Sequence, residues 1–216
     1  MKFSDLERMV GDVLNDFSHI TWTPSQVQDW LVDAEKAIIS VRSDAGAVTE
    51  SVALVAGTRQ SLPLGGIKLL SVVRNMGDGV SPGLGIRLVE RGIKDDSNPA
   101  WHTDTESSTI YEYIFDDRMP TSYFVSPPAV ADSFVEIEYS KEPGPYDFNN
   151  DPSTTISDIY IPHIIEWALY RCFSRSDERT PDYARSQAHY RRWGEMLGLK
   201  LSSDIEVSPK QRGHLL

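Results

Sequence analysis

The spacing of apolar residues changes twice along this chain, and this change constrains the fold more than any other feature. Up to about residue 45, and again from about residue 158, apolar residues recur every three to four positions, which predicts amphipathic helices. Between about residues 48 and 140 the period is two and Gly and Pro interrupt it often, which predicts short strands. The sequence therefore predicts an α+β fold, in which helices from both ends form one bundle.

The strands between the helices form an inserted lobe in this interpretation, an antiparallel β-sandwich or barrel, because no helical period interrupts them. In the segment FVEIEYS, Val135, Ile137 and Tyr139 alternate with glutamates, which is typical of a half-buried antiparallel strand. The predicted segments are 1–46 for the N-terminal helices, 47–140 for the β lobe, 141–157 for a linker, 158–198 for the C-terminal helices and 199–216 for an extended tail.

Helix ends are marked by capping residues. The sequence TPSQ at 23–26 combines a Thr cap, a Pro at the first helical position and a Gln that can complete a capping box. The sequence TPDY at 180–183 repeats the Thr-Pro pair, and Gly198 can take the left-handed conformation that ends a helix.

Net charge and cysteine content exclude some classes of function. A net charge of −11 argues against a broad basic surface that grips nucleic acid or an anionic membrane. An acidic surface can still let DNA slide past, because it repels the phosphates. The single cysteine excludes an internal disulfide and fits a reducing compartment. The N-terminal segment has no continuous apolar stretch, so the sequence predicts neither a signal peptide nor a membrane span there.

One helix, with the sequence YIPHIIEWALYRCFSRSDE, contains the first candidates for chemistry. His163 and Glu166 share a helix face at a spacing that some metal sites use, but a di-iron bundle needs that motif twice. The other helical candidates, Glu35, Glu50 and Asp33, have no histidine beside them. We therefore interpret His163 and Glu166 as a polar edge of a mostly buried helix.

Two further candidates are interpreted as structural. Cys172 lies among apolar and aromatic residues, so it is expected to pack as a small hydrophobe rather than act as a nucleophile. The glycine-rich stretch 77–85 lacks the lysine of a phosphate loop and predicts a turn between strands.

The segment WHTDTES brings His102, Asp104 and Glu106 close together in sequence. Alternation would place them on one side of the chain, as a weak cation site or the site of a hydrolase requires. A solvated loop is the simpler interpretation. We accordingly predict that the protein is not an enzyme and that it has no catalytic, metal or cofactor site.

The same C-terminal helix is apolar on nearly all sides, which is typical of a helix that is buried all round. Neighbouring subunits could supply part of this cover, and a central position within one subunit is the alternative. The residues predicted to pack between subunits are Ile164, Ile165, Trp167, Tyr170, Phe173 and Trp30.

The end of the chain carries charge and leucines on an otherwise acidic protein. Such a tail can dock on a partner by folding as it binds, and a frayed end is the alternative. The predicted docking residues are Lys210, Gln211, Arg212, Leu215 and Leu216.

Several segments, taken in order and spacing, resemble the head-to-tail adaptor (connector) proteins of tailed bacteriophages. These segments are WTPSQVQDWLVDAEKAIISVRSDA, LVAGTRQSLP, LLSVVRNMG, NPAWH, YIFDDRMPTSYFVSPP, VEIEYSKEP, IYIPHIIEWALYRCFSRSDE and ARSQAHYRRWGEMLG. The stretch RSDAG departs from the family, because a proline is expected after its arginine. The family has no catalytic motif to carry over.

The resemblance implies a structural virion protein, a ring expected to hold about twelve copies. The ring would bind the portal protein on one side and a tail or nozzle protein on the other. Double-stranded DNA would pass through the ring without sequence-specific binding. No membrane partner is expected. It would sit in the virion at the head–tail interface after assembly in the host cytoplasm. The helical bundle would meet the portal, the loops 77–83 and 98–108 would face the tail, and the C-terminal tail would dock on the portal.

A β-rich module of a phage tail or baseplate that binds carbohydrate or protein is the alternative function. A sugar site would need exposed aromatic side chains on the strand lobe, for which Tyr111, Tyr113 and Tyr123 are the candidates.

Overall fold

The computed structural model describes residues 1–175 and 182–199, which form two compact units. The helical unit contains Met1–Arg42 and the described residues from Pro145 onward, and the strand unit contains Ser43–Gly144. The predicted α+β class is confirmed. None of the helices in the described ranges is both long enough and apolar enough to cross a membrane.

Twelve helices and strands are described, apart from short 3-10 turns. In chain order they are α1 (Phe3–Leu14), α2 (Pro24–Val41), β1 (Ala47–Ala53), β2 (Gly57–Ser61), β3 (Gly66–Asn75), β4 (Arg87–Leu88), α3 (Arg91–Ser97), β5 (Glu112–Phe115), β6 (Ser122–Ala129), β7 (Phe134–Lys141), α4 (Ile161–Ser174) and α5 (Tyr183–Met196).

The predicted capping box of α2 is present. The Gln26 backbone N–H donates to Thr23 Oγ1, and the Gln26 side chain accepts from the Thr23 N–H. At α5 the cap differs from the prediction: Thr180 and Pro181 lie outside the described residues, and Asp182 accepts from the Arg185 N–H as the N-cap. Gly198 follows α5 with φ of 73°, as predicted for a residue that ends a helix.

Helix α4 is the centre of the helical unit. It packs against α1, α2 and α5 of its own chain, so these three helices supply at least part of the cover that its apolar surface needs. The core that these helices share is fully buried and includes Leu6, Leu31, Ile38 and Ile164. Burial of such aliphatic side chains, at about 1.5–3 kcal/mol each, is what stabilises this unit.

The strand unit contains two sheets, with strand orders β1-β7-β3 and β2-β6-β5-β4. Val135, Ile137 and Tyr139 of β7 are fully buried while Glu138 is exposed, so the predicted alternation is confirmed. Apolar side chains from both sheets form one core cluster, which is the arrangement of a sandwich.

Four details of the strand unit differ from the sequence interpretation. The stretch SVALVAGTRQSLPLGG at 51–66, which its apolar spacing predicts as one strand, contains the end of β1 and all of β2. These strands belong to different sheets, and Gly57 with φ of 97° lies where the chain changes sheet. Helix α3 interrupts the strands; its only large apolar residue, Ile93, is 61% exposed, so no apolar period marks it. Strand β4 pairs with β5 in parallel. Glu50, taken as a helical candidate, lies in β1.

The glycine-rich stretch 77–85 is a turn between β3 and β4, as predicted. The Asp78 carboxylate accepts from the backbone N–H groups of Val80 and Ser81, at 2.9 and 2.6 Å. These hydrogen bonds lower the pKa of Asp78, because they stabilise its charged form. The loop is therefore built around its own aspartate.

Candidate interaction surfaces

Helices α4 and α5 meet along aromatic side chains. The rings of Trp167 and Trp193 lie 4.6 Å apart between centroids, and those of Tyr170 and Tyr190 lie 5.1 Å apart. Phe173 stacks on His189 at 5.5 Å. These contacts join α5 to the unit, and we call the five aromatic residues with His189 the aromatic seam.

The residues predicted for subunit packing have different environments within one chain. Ile164 is fully buried in the core of its own unit. Trp167, Tyr170 and Phe173 are half-buried within the aromatic seam, and Ile165 is also half-buried. Trp30 is half-buried and makes an edge contact with Trp22 at 5.6 Å. Contact of any of these side chains with a neighbouring subunit stays a prediction.

Glu166 is bound by two side chains of α5. Its carboxylate lies 2.7 Å from His189 Nδ1 and accepts from Arg192 Nη1 at 3.1 Å. The Nδ1 of His163, its predicted companion on the helix face, is buried and has no hydrogen-bond partner within 1–175 and 182–199, and the ring makes an edge contact with Tyr160. Glu166 therefore links two helices, a role that sequence spacing missed because His189 is 23 residues away.

Cys172 packs in the core, as predicted. The residue is 1% exposed, and burial raises the pKa of its thiol to about 12, so the thiolate that a nucleophile needs is disfavoured. Among the described residues, no three His, Cys, Asp or Glu side chains lie together in a way that could hold a metal ion.

The segment WHTDTES is organised by Trp101, which is 1% exposed. The Trp101 ring stacks on His102 with 3.6 Å between centroids, and its Nε1 donates to Asp95 Oδ1 at 2.8 Å. His102 Nδ1 is 2.9 Å from Thr58 Oγ1, whereas the Asp104 carboxylate accepts from Asn98 at 2.8 Å. These two side chains have separate partners.

The aromatic residues proposed for a sugar site are mostly core residues. Tyr113 is 7% exposed and Tyr123 is 1% exposed, and both belong to the core of the strand unit. Burial of Tyr123 raises the pKa of its hydroxyl far above the ordinary value. Only Tyr111 of the three, at 55% exposure, faces solvent. Two of the three candidates therefore lack the exposure that a sugar site would need.

Glu35 of α2 is a fully buried carboxylate that sequence spacing treated only as an unpaired metal candidate. It accepts hydrogen bonds from the Tyr146 hydroxyl and from the Thr155 N–H, the latter at 2.9 Å. Burial raises the pKa of Glu35, although these hydrogen bonds act in the opposite direction. The contacts hold the segment that enters α4 against α2.

The loop between α1 and α2 exposes apolar side chains on a well-ordered backbone. The Asp16 carboxylate accepts from the N–H groups of Ile20, Thr21 and Trp22, at 2.8–3.0 Å. The hydrogen bond from Trp22 contributes most to the lowering of the pKa of Asp16. Phe17 is nevertheless 68% exposed and Ile20 is 88% exposed. Such apolar exposure on an ordered loop is typical of a contact surface.

The predicted docking residues of the tail, Lys210, Gln211, Arg212, Leu215 and Leu216, lie outside the described residues. They stay a prediction from the sequence.

A family model described as SU10 adaptor protein matches residues 1–212, which is nearly the whole chain. A search of curated proteins found no significant match.

Proposed function

Because this chain belongs to the SU10 adaptor protein family, a family of phage head-to-tail adaptors, we propose that it forms a ring between the portal and the tail of the virion. The family match over residues 1–212 is the observation that carries this proposal. Membership implies a structural adaptor role, portal and tail partners and a place in the virion. We further propose that the role is structural and not enzymatic.

The finer parts of the proposal are the ring, its copy number and its channel. We propose about twelve copies around a channel through which double-stranded DNA leaves the capsid, with assembly in the host cytoplasm. The net charge of −11 supports the channel, because an acidic wall does not hold the phosphates of passing DNA. The helical unit is proposed to face the portal and the loops 77–83 and 98–108 the tail or nozzle protein.

Mass photometry of the purified protein, alone and mixed with its portal, tests the ring. The chain has a mass of 24.3 kDa, so a closed ring on the portal adds a fixed multiple of that mass. We expect one discrete complex at saturation. A protein that leaves the mass of the portal unchanged at micromolar concentrations would overturn the proposal and favour the binding-module alternative.

Removal of the tail gives a second prediction. Deletion of Val207–Leu216 is expected to weaken binding to the portal at least about tenfold, because Lys210, Arg212 and the terminal leucines are the proposed docking residues. Circular dichroism should show an unchanged fold. A matched variant with Lys210 and Arg212 both replaced by Ser separates the charge from the leucines, and unchanged binding after the deletion would exclude a docking role for the tail.

A further inference from the structure

We propose that the rings close by contact between α5 of one copy and α1 of the next copy, and this inference rests on the ring proposed above. The two helices carry opposite charge. Helix α5 has three arginines against one glutamate, and α1 has three carboxylates against one arginine. The excess of arginine is unusual on a chain with a net charge of −11.

On the solvent-facing side of α5, one arginine has no partner in the part of the chain that the structure describes. Arg192 is bound to Glu166, and Arg185 forms an ion pair with Asp182 at 3.1 Å. Arg191 is exposed and, among the described residues, forms no hydrogen bond or ion pair. Helical spacing places it nearly opposite Trp193, which is buried against α4. A positive charge is therefore available on the outside of the bundle.

Helix α1 presents the complementary charge. Arg8 forms an ion pair with Asp12 at 3.1 Å, and Glu7 accepts from Gln28 at 2.7 Å. Asp5 is exposed and has no ion pair or hydrogen bond within the described part of the chain. The outside of α1 thus keeps an unneutralised carboxylate, as the outside of α5 keeps an unneutralised guanidinium.

Both helices also expose apolar area that a contact would cover. On α5, Tyr183 is 68% exposed and Met196 is 39% exposed. The apolar face of α1 is buried in its first part, but Val13 near its end is 58% exposed. Phe17, in the loop that follows, is 68% exposed. Oppositely charged surfaces that also contain exposed apolar residues are suited to protein–protein contact.

The arrangement favours a second copy of this chain as the occupant. Helix α5 packs on α4, whereas α1 packs on α2 and α4, so the two surfaces are different parts of one unit. A contact between two different surfaces of identical chains is heterologous and closes into a ring when the rotation allows it. A contact of α5 with α5 would instead bring like charges together, which is unfavourable.

A charge swap tests the contact in the full chain with its portal. Arg191→Glu should raise the concentration needed for half-maximal ring assembly about tenfold, because it places a carboxylate against α1. Adding Asp5→Lys to the same chain should restore assembly, since each contact again pairs opposite charges. The control Arg118→Glu changes the net charge equally at an exposed site of the strand unit and should have little effect. Absence of rescue in the double variant would overturn the proposal.

Cross-linking tests the contact between α1 and α5 separately from the formation of the ring. The native Cys172 is buried, so the single variants Asp5→Cys and Arg191→Cys each add one reactive thiol. With a short bismaleimide on assembled rings, a mixture of the two variants should give cross-linked dimers, and neither variant alone should. If rings form on the portal without cross-links between the variants, the α1–α5 contact is wrong and the ring stands. If the unsubstituted chain forms no rings on the portal, both proposals fail.

Discussion

Replacement of Trp101 by alanine is expected to lower the free energy of unfolding of the strand unit by about 3–5 kcal/mol, because it removes a large buried aromatic side chain. The Trp101 ring is 1% exposed, stacks on His102 and makes an edge contact with Phe124 at 6.0 Å. The substitution also removes the donor for Asp95, whose pKa is lowered chiefly by this hydrogen bond. Urea unfolding followed by fluorescence and circular dichroism measures the effect.

Two matched variants separate the contributions of Trp101. Trp101→Phe keeps much of the ring and loses the Nε1 donor, so it should cost about 1–2 kcal/mol. His102→Ala removes an exposed ring from the same segment and should cost less than Trp101→Ala. An equal loss for His102→Ala and Trp101→Ala would show that the polar side chains, and not the buried indole, organise this segment.

Replacement of Glu35 by alanine is expected to lower the free energy of unfolding of the helical unit by about 2–4 kcal/mol, because it removes a fully buried acceptor and leaves its donors without a partner. These donors are the Tyr146 hydroxyl and the Thr155 N–H. The cost of burying the charged form of Glu35 does not offset this loss, since the backbone N–H of Ile156, a third donor to Glu35, stays buried in the variant. Chemical denaturation near pH 7 measures the difference.

The Glu35→Gln variant isolates the dependence on pH. Burial raises the pKa of Glu35 in the folded state, so the folded protein binds the proton more readily than the unfolded chain does. This proton uptake stabilises the fold fully below the unfolded pKa, and the contribution is lost as the pH rises through the folded pKa. The wild type should therefore gain stability relative to Glu35→Gln as the pH falls from 7 toward 4.

Other carboxyl groups contribute to the pH dependence of stability with the opposite sign, and their contributions cancel when the wild type is compared with Glu35→Gln. Asp16, Glu50 and Asp151 have pKa values lowered by hydrogen bonds, so their contributions to stability are lost as the pH falls. Both proteins contain these groups. A stability difference between the wild type and Glu35→Gln that does not change with pH would show that Glu35 has an ordinary pKa.

The features that the sequence predicted correctly depend on neighbours within a few residues. The capping box between Thr23 and Gln26 spans a single helical turn, and the alternation of Val135, Ile137 and Tyr139 spans one strand. Cys172 could be assigned to the core because its neighbours at helical spacing are apolar. Local spacing determines which face of one element is apolar, and this is enough to predict its burial.

The candidate surfaces were only partly predictable. The family resemblance pointed to an adaptor, and the family match agrees. The partner of Glu166 is His189, and the acceptor for the Trp101 indole is Asp95, which lies in a helix that has no apolar period. The sequence left open whether Tyr113 and Tyr123 are exposed, and the strands that carry them place them in the core between the two sheets.

By itself, the sequence determined the class and order of most elements and the start of α2, because these follow from backbone preference and from apolar spacing along one segment. Only the tertiary structure decided that α4 packs against three helices of its own chain, that Glu35 is buried, and that Arg191 and Asp5 lie outside with no partner among the described residues. The physical reason is that burial and pairing depend on which segments meet, and segments far apart in sequence meet only once the chain has packed.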